Sequence, residues 1–383
     1  MCGGLQVNAA VFDCKSFCRC DDITKCGRVC KENVAQYVAR MREVRGPTFD
    51  NIPHTVPVAM PVPPSYIAVV RTGNSRFERR IAEPWIALRL FDFVDRRTRV
   101  LTNITHESII DRYRLNSGVS LVLTGTHFDH YIESWWGLED RRGAGRKLRD
   151  AGIRLVTTPN FSVFSDVPRH DNFFNQKRIL IVAEELLSAG VQCAIHLNAR
   201  TERDYERFAH FLRTHHEYEY VAFEFGTGAG HRNRIDFHVT QLCQLARSVG
   251  HPLRLVARGG LLSLSRLDAA FASVHFLDSD PFVKTQKRRV GVVSQDGLKV
   301  KWDKYPTMSD EPLDQLFERN VAARTQQVQA FFNAKAMPAA NDKRYLPDTP
   351  ADMGVRMSKP RPAAANDPQS LTLDFPSEIA GSR

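Results

Sequence analysis

The sequence predicts an α/β protein built as a (β/α)8 barrel of the TIM type. Short β-branched or apolar runs alternate with amphipathic helical stretches through the middle of the chain. The runs recur about every 30 residues, the length of one strand–helix unit. Eight can be counted, each apolar enough to be covered by helices, as the strands of a closed parallel sheet are. A doubly wound open sheet is the alternative if the run near Leu88 is not a strand of the sheet.

Strands are expected near Tyr66–Val70, Leu88–Phe93, Ser120–Thr124, Ile153–Thr157, Gln192–Leu197, Tyr220–Phe225, Leu253–Ala257 and Val274–Leu277. Helices are expected over His106–Leu115, Asn172–Ser188, Glu202–His215 and Ile235–Ser248, with Gly152 and Gly190 where helix C-termini hand over to strands. Residues 1–62 form a Cys-rich leader followed by the Pro-rich connector VPVAMPVPP. Residues 63–305 form the barrel and a terminal basic hairpin, and residues 306–337 a C-terminal helix. Residues 338–383 hold seven prolines and only two aromatics, Tyr345 and Phe375. Such a tail cannot bury enough apolar surface to offset its ordering entropy and is expected to be disordered.

Of the 383 residues, 43% are hydrophobic and 25% charged, which excludes a wholly disordered or collagen-like chain. No stretch approaches the ~18 consecutive apolar residues that a membrane-spanning helix requires, and no membrane partner is expected. The first residues lack the basic-then-apolar layout of a secretory signal, so a reducing, cytoplasmic setting is expected. That bears on the cysteines, six of which fall in the first thirty residues: Cys2, Cys14, Cys18, Cys20, Cys26 and Cys30. Spaced C-x3-C-x-C-x5-C-x3-C from Cys14 to Cys30, they read as thiolates around a structural zinc, with an iron–sulfur cluster as the alternative. Reduced thiols in a mobile leader are the plain alternative. Cys193 and Cys243 sit in apolar runs and read as core.

The net charge of +10 is unevenly spread. Between Pro281 and Tyr305 lie seven basic and two acidic residues, a net +5 in one segment. Clustered Lys and Arg suit phosphate neutralisation, although such runs are often only a solvated face.

In a barrel the chemistry lies at the C-terminal ends of the strands. Reading them from the third strand onward yields His127 and Asp129; Asn160; His196, Asn198 and Arg200; Glu224; Arg258, Gly259 and Gly260; and Asp278, Asp280 and Lys284. Glu224, set between two phenylalanines, is costly to bury without a partner, and Arg258 one strand over could supply one. Asp278 and Asp280 are two apart, so on an extended strand they share a face and could divide acid and nucleophile roles. Gly259-Gly260 would let a flat ligand approach the backbone, or would make a tight turn. His196 could equally be a satisfied core histidine, Trp135-Trp136 a helix core, and the run GTGAGHRNR lacks a Walker lysine.

Gly259-Gly260-Leu261 is followed by FLDSDPFVKTQKRRVGVVSQDGLKVKWDKY, and the fourth strand ends in TTPNFSVFS. The order of a Gly-Gly-Leu, an aspartate, a Lys/Arg cluster and a two-stranded basic hairpin resembles the tRNA-guanine transglycosylase superfamily. The similar branch exchanges a base for a 7-deazaguanine in DNA or tRNA. TTPNFSVFSDVPR and HLNART are also similar to segments of uncharacterised plasmid and phage proteins. The resemblance spans roughly residues 150–305. Asn160 stands where the family has an aspartate, and no cysteine follows Cys243 to match its C-terminal zinc site.

The resemblance implies Asp278 as a carboxylate nucleophile that attacks the anomeric carbon, with Asp280 in reserve. Asn160, His196, Asn198, Glu224 and Arg258 would then hold the flipped base, and Gly259 and Gly260 would give it backbone contacts. Lys284, Lys287, Arg288 and Arg289 would clamp flanking phosphates. Two other readings are open: a metal-dependent barrel hydrolase using His127, Asp129, His196 and Asp278, and a non-enzymatic nucleic-acid-binding accessory protein.

Overall fold

The computed structural model describes residues 34–72, 76–102, 104–163, 169–226, 232–308 and 310–334. The Cys-rich segment through Cys30 and the Pro-rich tail lie outside the described residues. In chain order the elements are α1 (Val34–Glu43), β1 (Tyr66–Val69), β2 (Trp85–Arg89), β3 (Val94–Asp95), β4 (Val100–Leu101), α2 (His106–Tyr113), β5 (Ser120–Thr124), α3 (Asp129–Trp136), α4 (Arg141–Asp150) and β6 (Ile153–Thr157). Then follow α5 (Arg169–Ser188), β7 (Gln192–His196), α6 (Glu202–Thr214), β8 (Tyr220–Glu224), α7 (Arg232–Ser248), β9 (Arg254–Arg258), α8 (Leu264–Asp268), β10 (Ser273–Asp278), α9 (Asp280–Gln286), β11 (Arg289–Val293), β12 (Val300–Lys304) and α10 (Asp314–Asn333).

Eight strands close into a parallel barrel in the order β1-β2-β5-β6-β7-β8-β9-β10. The closure rests on β1, which pairs with β2 through Ala68↔Ile86 and with β10 through Ile67↔Leu277. The open sheet is thereby excluded. The other strands form two small ladders, β3 with β4 and the hairpin β11–β12. No helix among the described residues is long and apolar enough to cross a membrane.

The second strand ends earlier than its composition suggests. Leu88–Phe93 is an unbroken run apart from Arg89 and Asp92, yet β2 stops at Arg89, and Leu90–Phe93 is a 3-10 turn. Arg89 and Asp92, three apart, form an ion pair at 2.8 Å, a spacing that fits a helical turn and not a strand. Leu90, Phe91 and Phe93 are buried by that turn.

Alternation along the strands sorts the side chains into two layers. Ile67, Val69, Ala87, Val122, Leu155, Ala194, Tyr220, Ala222, Val256 and Leu277 fill the barrel interior. Their neighbours pack outward in a larger cluster against the helices, joined by Cys193 and Cys243. Trp135 is fully buried in that outer layer.

The Pro-rich connector belongs to the fold. Upstream of it Phe49 and Ile52 are buried; within it Met60 packs against the interior cluster, and Gln192 at the start of β7 donates to the Val58 carbonyl at 2.8 Å. These contacts lie at the N-terminal ends of the strands, so the connector covers that end of the barrel.

After the barrel, α10 is tied to α9 and the hairpin by Asn320. Its amide donates to Thr285 Oγ1 and the Arg289 carbonyl, both at 2.8 Å, and its oxygen accepts the Gly291 N–H at 2.8 Å. Asn320 is fully buried. Asn320→Ala leaves Gly291 N–H and the Arg289 carbonyl without partners, so it should cost about 2–3 kcal/mol in urea denaturation.

Candidate functional site

The alternation that fills the barrel also decides which charges enter its C-terminal mouth. Tyr220 and Ala222 face inward on β8, so Glu224 does too. Val256 faces inward on β9, and so Arg258 follows. The two residues are register partners, with Arg258 Nη1 3.4 Å from Glu224 Oε2. Glu224 Oε1 accepts the Gly226 N–H at 2.8 Å. Burial pushes the Glu224 carboxyl above its ordinary value, and Arg258, the Gly226 N–H and the Thr126 hydroxyl only partly offset this.

On β2, Ala87 faces inward and Arg89 therefore ends the strand facing the axis. Asp92 pairs with it from the side and also accepts the Tyr113 hydroxyl at 3.1 Å. Arg71 lies two residues beyond the inward Val69 of β1. It has no carboxylate at ion-pair distance among the described residues, and its Nε is buried without an acceptor. Burial lowers its proton affinity first, then repulsion from Arg89 and Arg258, while Asp92 acts weakly the other way.

Asp278 is placed differently. Leu277 takes the inward position on β10, so Asp278 lies on the outer face at the rim. There it meets α10: Arg324 Nε lies 2.8 Å from Asp278 Oδ2, and Arg324 Nη2 lies 2.6 Å from Asp280 Oδ2. Asp278 Oδ1 accepts the Asp280 N–H at 2.9 Å. Burial raises the Asp278 carboxyl above its ordinary value, Arg324 opposes this, and Asp280 adds to it. Asp280 opens helix α9 rather than continuing the strand, so the two aspartates are joined by Arg324 and not by a shared strand face.

A cleft of ≈ 610 Å³ opens over these groups, with Arg71, Arg89, Glu224, Arg258, Asp278 and Arg324 in its wall. Because Arg324 comes from α10, the cleft reaches across the end of β10 to the outer pair. Gly259, Gly260, Asp280, His127 and Phe128 also line it. Phe128 is 73% exposed at the edge of this charged cleft, its ring beside those of His127 and His130. Burial, Arg89 and other charges hold His127 below its ordinary value.

Gly259 and Gly260 both have positive φ, 73° and 69°. A Cβ on Gly260 would stand 2.7 Å from the Phe225 ring, and one on Gly259 2.9 Å from the Gly226 nitrogen. The pair is thus required by the turn and by packing on β8's end, whatever it also offers a ligand.

Other expected site residues lie elsewhere. His196 faces inward from β7 but does not line the cleft. Its Nδ1 donates to the Thr158 carbonyl, Nε2 lies 3.4 Å from Thr126 Oγ1, and burial lowers its pKa to about 4, so it is neutral. Asn160 and Asn198 satisfy one another: Asn198 Nδ2 donates to Asn160 Oδ1 at 2.9 Å and to the Phe161 carbonyl at 2.8 Å. Neither lines the cleft, so they brace the ends of β6 and β7.

The basic cluster is also absent from the cleft wall. Arg288 donates to the Thr307 hydroxyl, Arg289 to the Trp302 carbonyl at 3.2 Å, and Lys284 sits over the Trp302 ring. Lys287 is exposed. Most of the GTGAGHRNR run, residues 227–231, and all of Cys14, Cys18, Cys20, Cys26 and Cys30 lie outside the described residues.

Among the described residues, three ligand-type side chains gather within 4.8 Å only at His54, His215 and Glu217. His127, Asp129, His196 and Asp278 are not such a group. His215 Nδ1 and Nε2 already face the Phe211 and Ile52 carbonyls, each at 3.1 Å. The trio lies at the covered end of the barrel and fastens the connector there.

Arg71, Arg89, Arg324 and Phe128 were not singled out from sequence. Strand-end reading applied to the first two strands would have found Arg71 and Arg89. Phe128 stood beside a chosen histidine. No local signal marked Arg324.

No family model and no curated protein matches the chain. Among solved structures, one from Burkholderia cenocepacia J2315 described as a "putative phosphonomutase" is similar with a TM-score of 0.31 at 11% identity, covering 66% of this chain and 95% of that one.

Arg324→Leu leaves Asp278 without its counter-charge in a buried setting. It should cost about 3 kcal/mol at neutral pH in chemical denaturation. Because burial raises the Asp278 carboxyl above its ordinary value, that cost should shrink as pH falls through the raised pKa and the carboxylate is neutralised.

Proposed function

We propose that the barrel mouth breaks and remakes a glycosidic bond, exchanging a base of DNA or tRNA for a 7-deazaguanine. The observation that carries this reading is the pair of carboxylates in one cleft wall, buried Glu224 and half-buried Asp278, each held by its own arginine and each with raised proton affinity. Two carboxylates with divided roles are what cleavage at an anomeric carbon calls for.

The division follows from their partners. Asp278 is 2.8 Å from the Arg324 guanidinium, while Glu224 meets Arg258 only at 3.4 Å. The closer cation favours the ionised form, so Asp278 is the nucleophile and Glu224 the acid. Asp278 oxygen bonds to the anomeric carbon as the bond to the old base breaks, and Glu224 gives the departing base its proton. The incoming 7-deazaguanine then attacks the same carbon, releases Asp278 and returns a proton to Glu224. Thr126 links Glu224 to neutral His196. The Thr126 hydroxyl favours the carboxylate that Glu224 becomes once its proton has left, and its oxygen lies 3.4 Å from His196 Nε2. Phe128 offers a stacking face for a base drawn out of its strand.

Asp278→Asn should reduce incorporation of radiolabelled base into nucleic acid by about a thousandfold or more while leaving the fold intact by circular dichroism. Retained incorporation would overturn the assignment. The pH–rate profile should rise as Asp278 ionises, above the ordinary aspartate range, and fall as Glu224 loses its proton. Glu224→Gln should remove the falling limb and slow the reaction; an unchanged profile would contradict its role as the acid.

A further inference from the structure

We propose that Arg71, Arg89 and Arg258 form a phosphate-binding subsite inside the barrel mouth, so that the substrate is a phosphate ester held by its phosphate group. The proposal rests on reading this mouth as the active site and adds the chemical class that the site receives.

Arg89 and Arg258 end β2 and β9, where strand alternation turns them toward the barrel axis, and Arg71 stands two residues past the end of β1. All three line the same cleft. Their charges are not balanced there. Asp92 takes up Arg89 from the side, and Glu224 meets Arg258 only at 3.4 Å, with burial holding its carboxyl above its ordinary value. Arg71 pairs with no carboxylate among the described residues, has a buried Nε without an acceptor, and feels both other arginines. A half-buried cation without a counter-ion is costly, and a bound anion would offset that cost.

The neighbouring bases report the same field. Arg89 and Arg71 help hold His127 below its ordinary value, and Arg258 does so for His196. An anion in the cleft would relieve these repulsions together. Planar guanidinium forks converging from three strand ends match the several oxygens of a phosphate better than the two coplanar oxygens of a carboxylate. The phosphate can be an internal diester of a nucleic-acid strand or the terminal group of a nucleotide. Both present the same oxygens.

The test is calorimetric titration of the full chain with inorganic phosphate at constant ionic strength, for the wild type and for Arg71→Gln. Phosphate should bind the wild type and bind Arg71→Gln about tenfold or more weakly. Without phosphate, Arg71→Gln should unfold at the same temperature as the wild type or higher, since an uncompensated cation has been removed. Equal phosphate affinity in the two proteins, no binding by the wild type, or a large loss of stability in phosphate-free Arg71→Gln would overturn the subsite. Competition by adenosine 5′-monophosphate would assign a terminal phosphate, and stronger competition by a dinucleotide with one internal diester would assign a strand. Failure of both to displace phosphate would also overturn it. The measurement needs no turnover. Arg71-dependent phosphate binding in a protein that exchanges no base keeps the subsite and removes the exchange reading, and base exchange without such binding does the reverse.

Discussion

Everything at the mouth of this protein depends on the pairing of β1 with both β2 and β10. That double pairing closes eight short parallel strands into a ring and removes any freedom in which face each residue presents. Alternation then acts as a sorting rule. Ile67 and Val69 inside imply Arg71 toward the axis, Ala87 implies Arg89, Ala222 implies Glu224, and Val256 implies Arg258. Leu277 inside puts Asp278 outside, where α10 must supply its cation. A slip of one residue in β1, β2, β8 or β9 would exchange the charged lining for apolar side chains.

The same closure concentrates charge where water is scarce. Guanidinium groups gathered at strand ends would destabilise the barrel if left bare. Two are restrained by Asp92 and Glu224, Arg71 stays exposed to its neighbours' repulsion, and Arg324 of α10 is held by Asp278 and Asp280 together. Carboxylates in this setting hold their protons more tightly than in water because burial outweighs their partners. That condition is costly for folding and useful for proton transfer. The covered end of the barrel, by contrast, is closed by Met60, Gln192 and His215 contacts.

Much of the barrel was legible because its strands are buried on both faces. Such strands read as continuous apolar runs at one strand–helix spacing, so Ser120–Thr124 and Ile153–Thr157 were found at their true bounds. The same property misled at LRLFDF, where the apolar run continues beyond the sheet into a buried 3-10 turn. Placing that strand end too late hid Arg89. Glu224 and Arg258 were readable because a charge inside an apolar strand demands a partner, and the neighbouring strand offered one. Asn160 and Asn198 looked like ligand contacts but satisfy each other across β6 and β7. The Lys/Arg cluster looked like a phosphate clamp, yet Arg288 and Arg289 serve the hairpin and the segment leading into α10. Arg324 was invisible because its partners Asp278 and Asp280 lie far back in sequence, and only the docking of α10 brings them together.

The chemistry assigned to this mouth leaves a covalent record in its substrate, and that record is the most direct thing to measure. DNA and tRNA should be incubated with the full-length protein and a supplied 7-deazaguanine base, digested to nucleosides, and analysed by mass spectrometry. The account predicts a new 7-deazaguanosine or its deoxy form in one of the two polymers, with the displaced base released in equal amount. Nucleoside profiles unchanged in both polymers, from protein that is folded and binds phosphate, would contradict it.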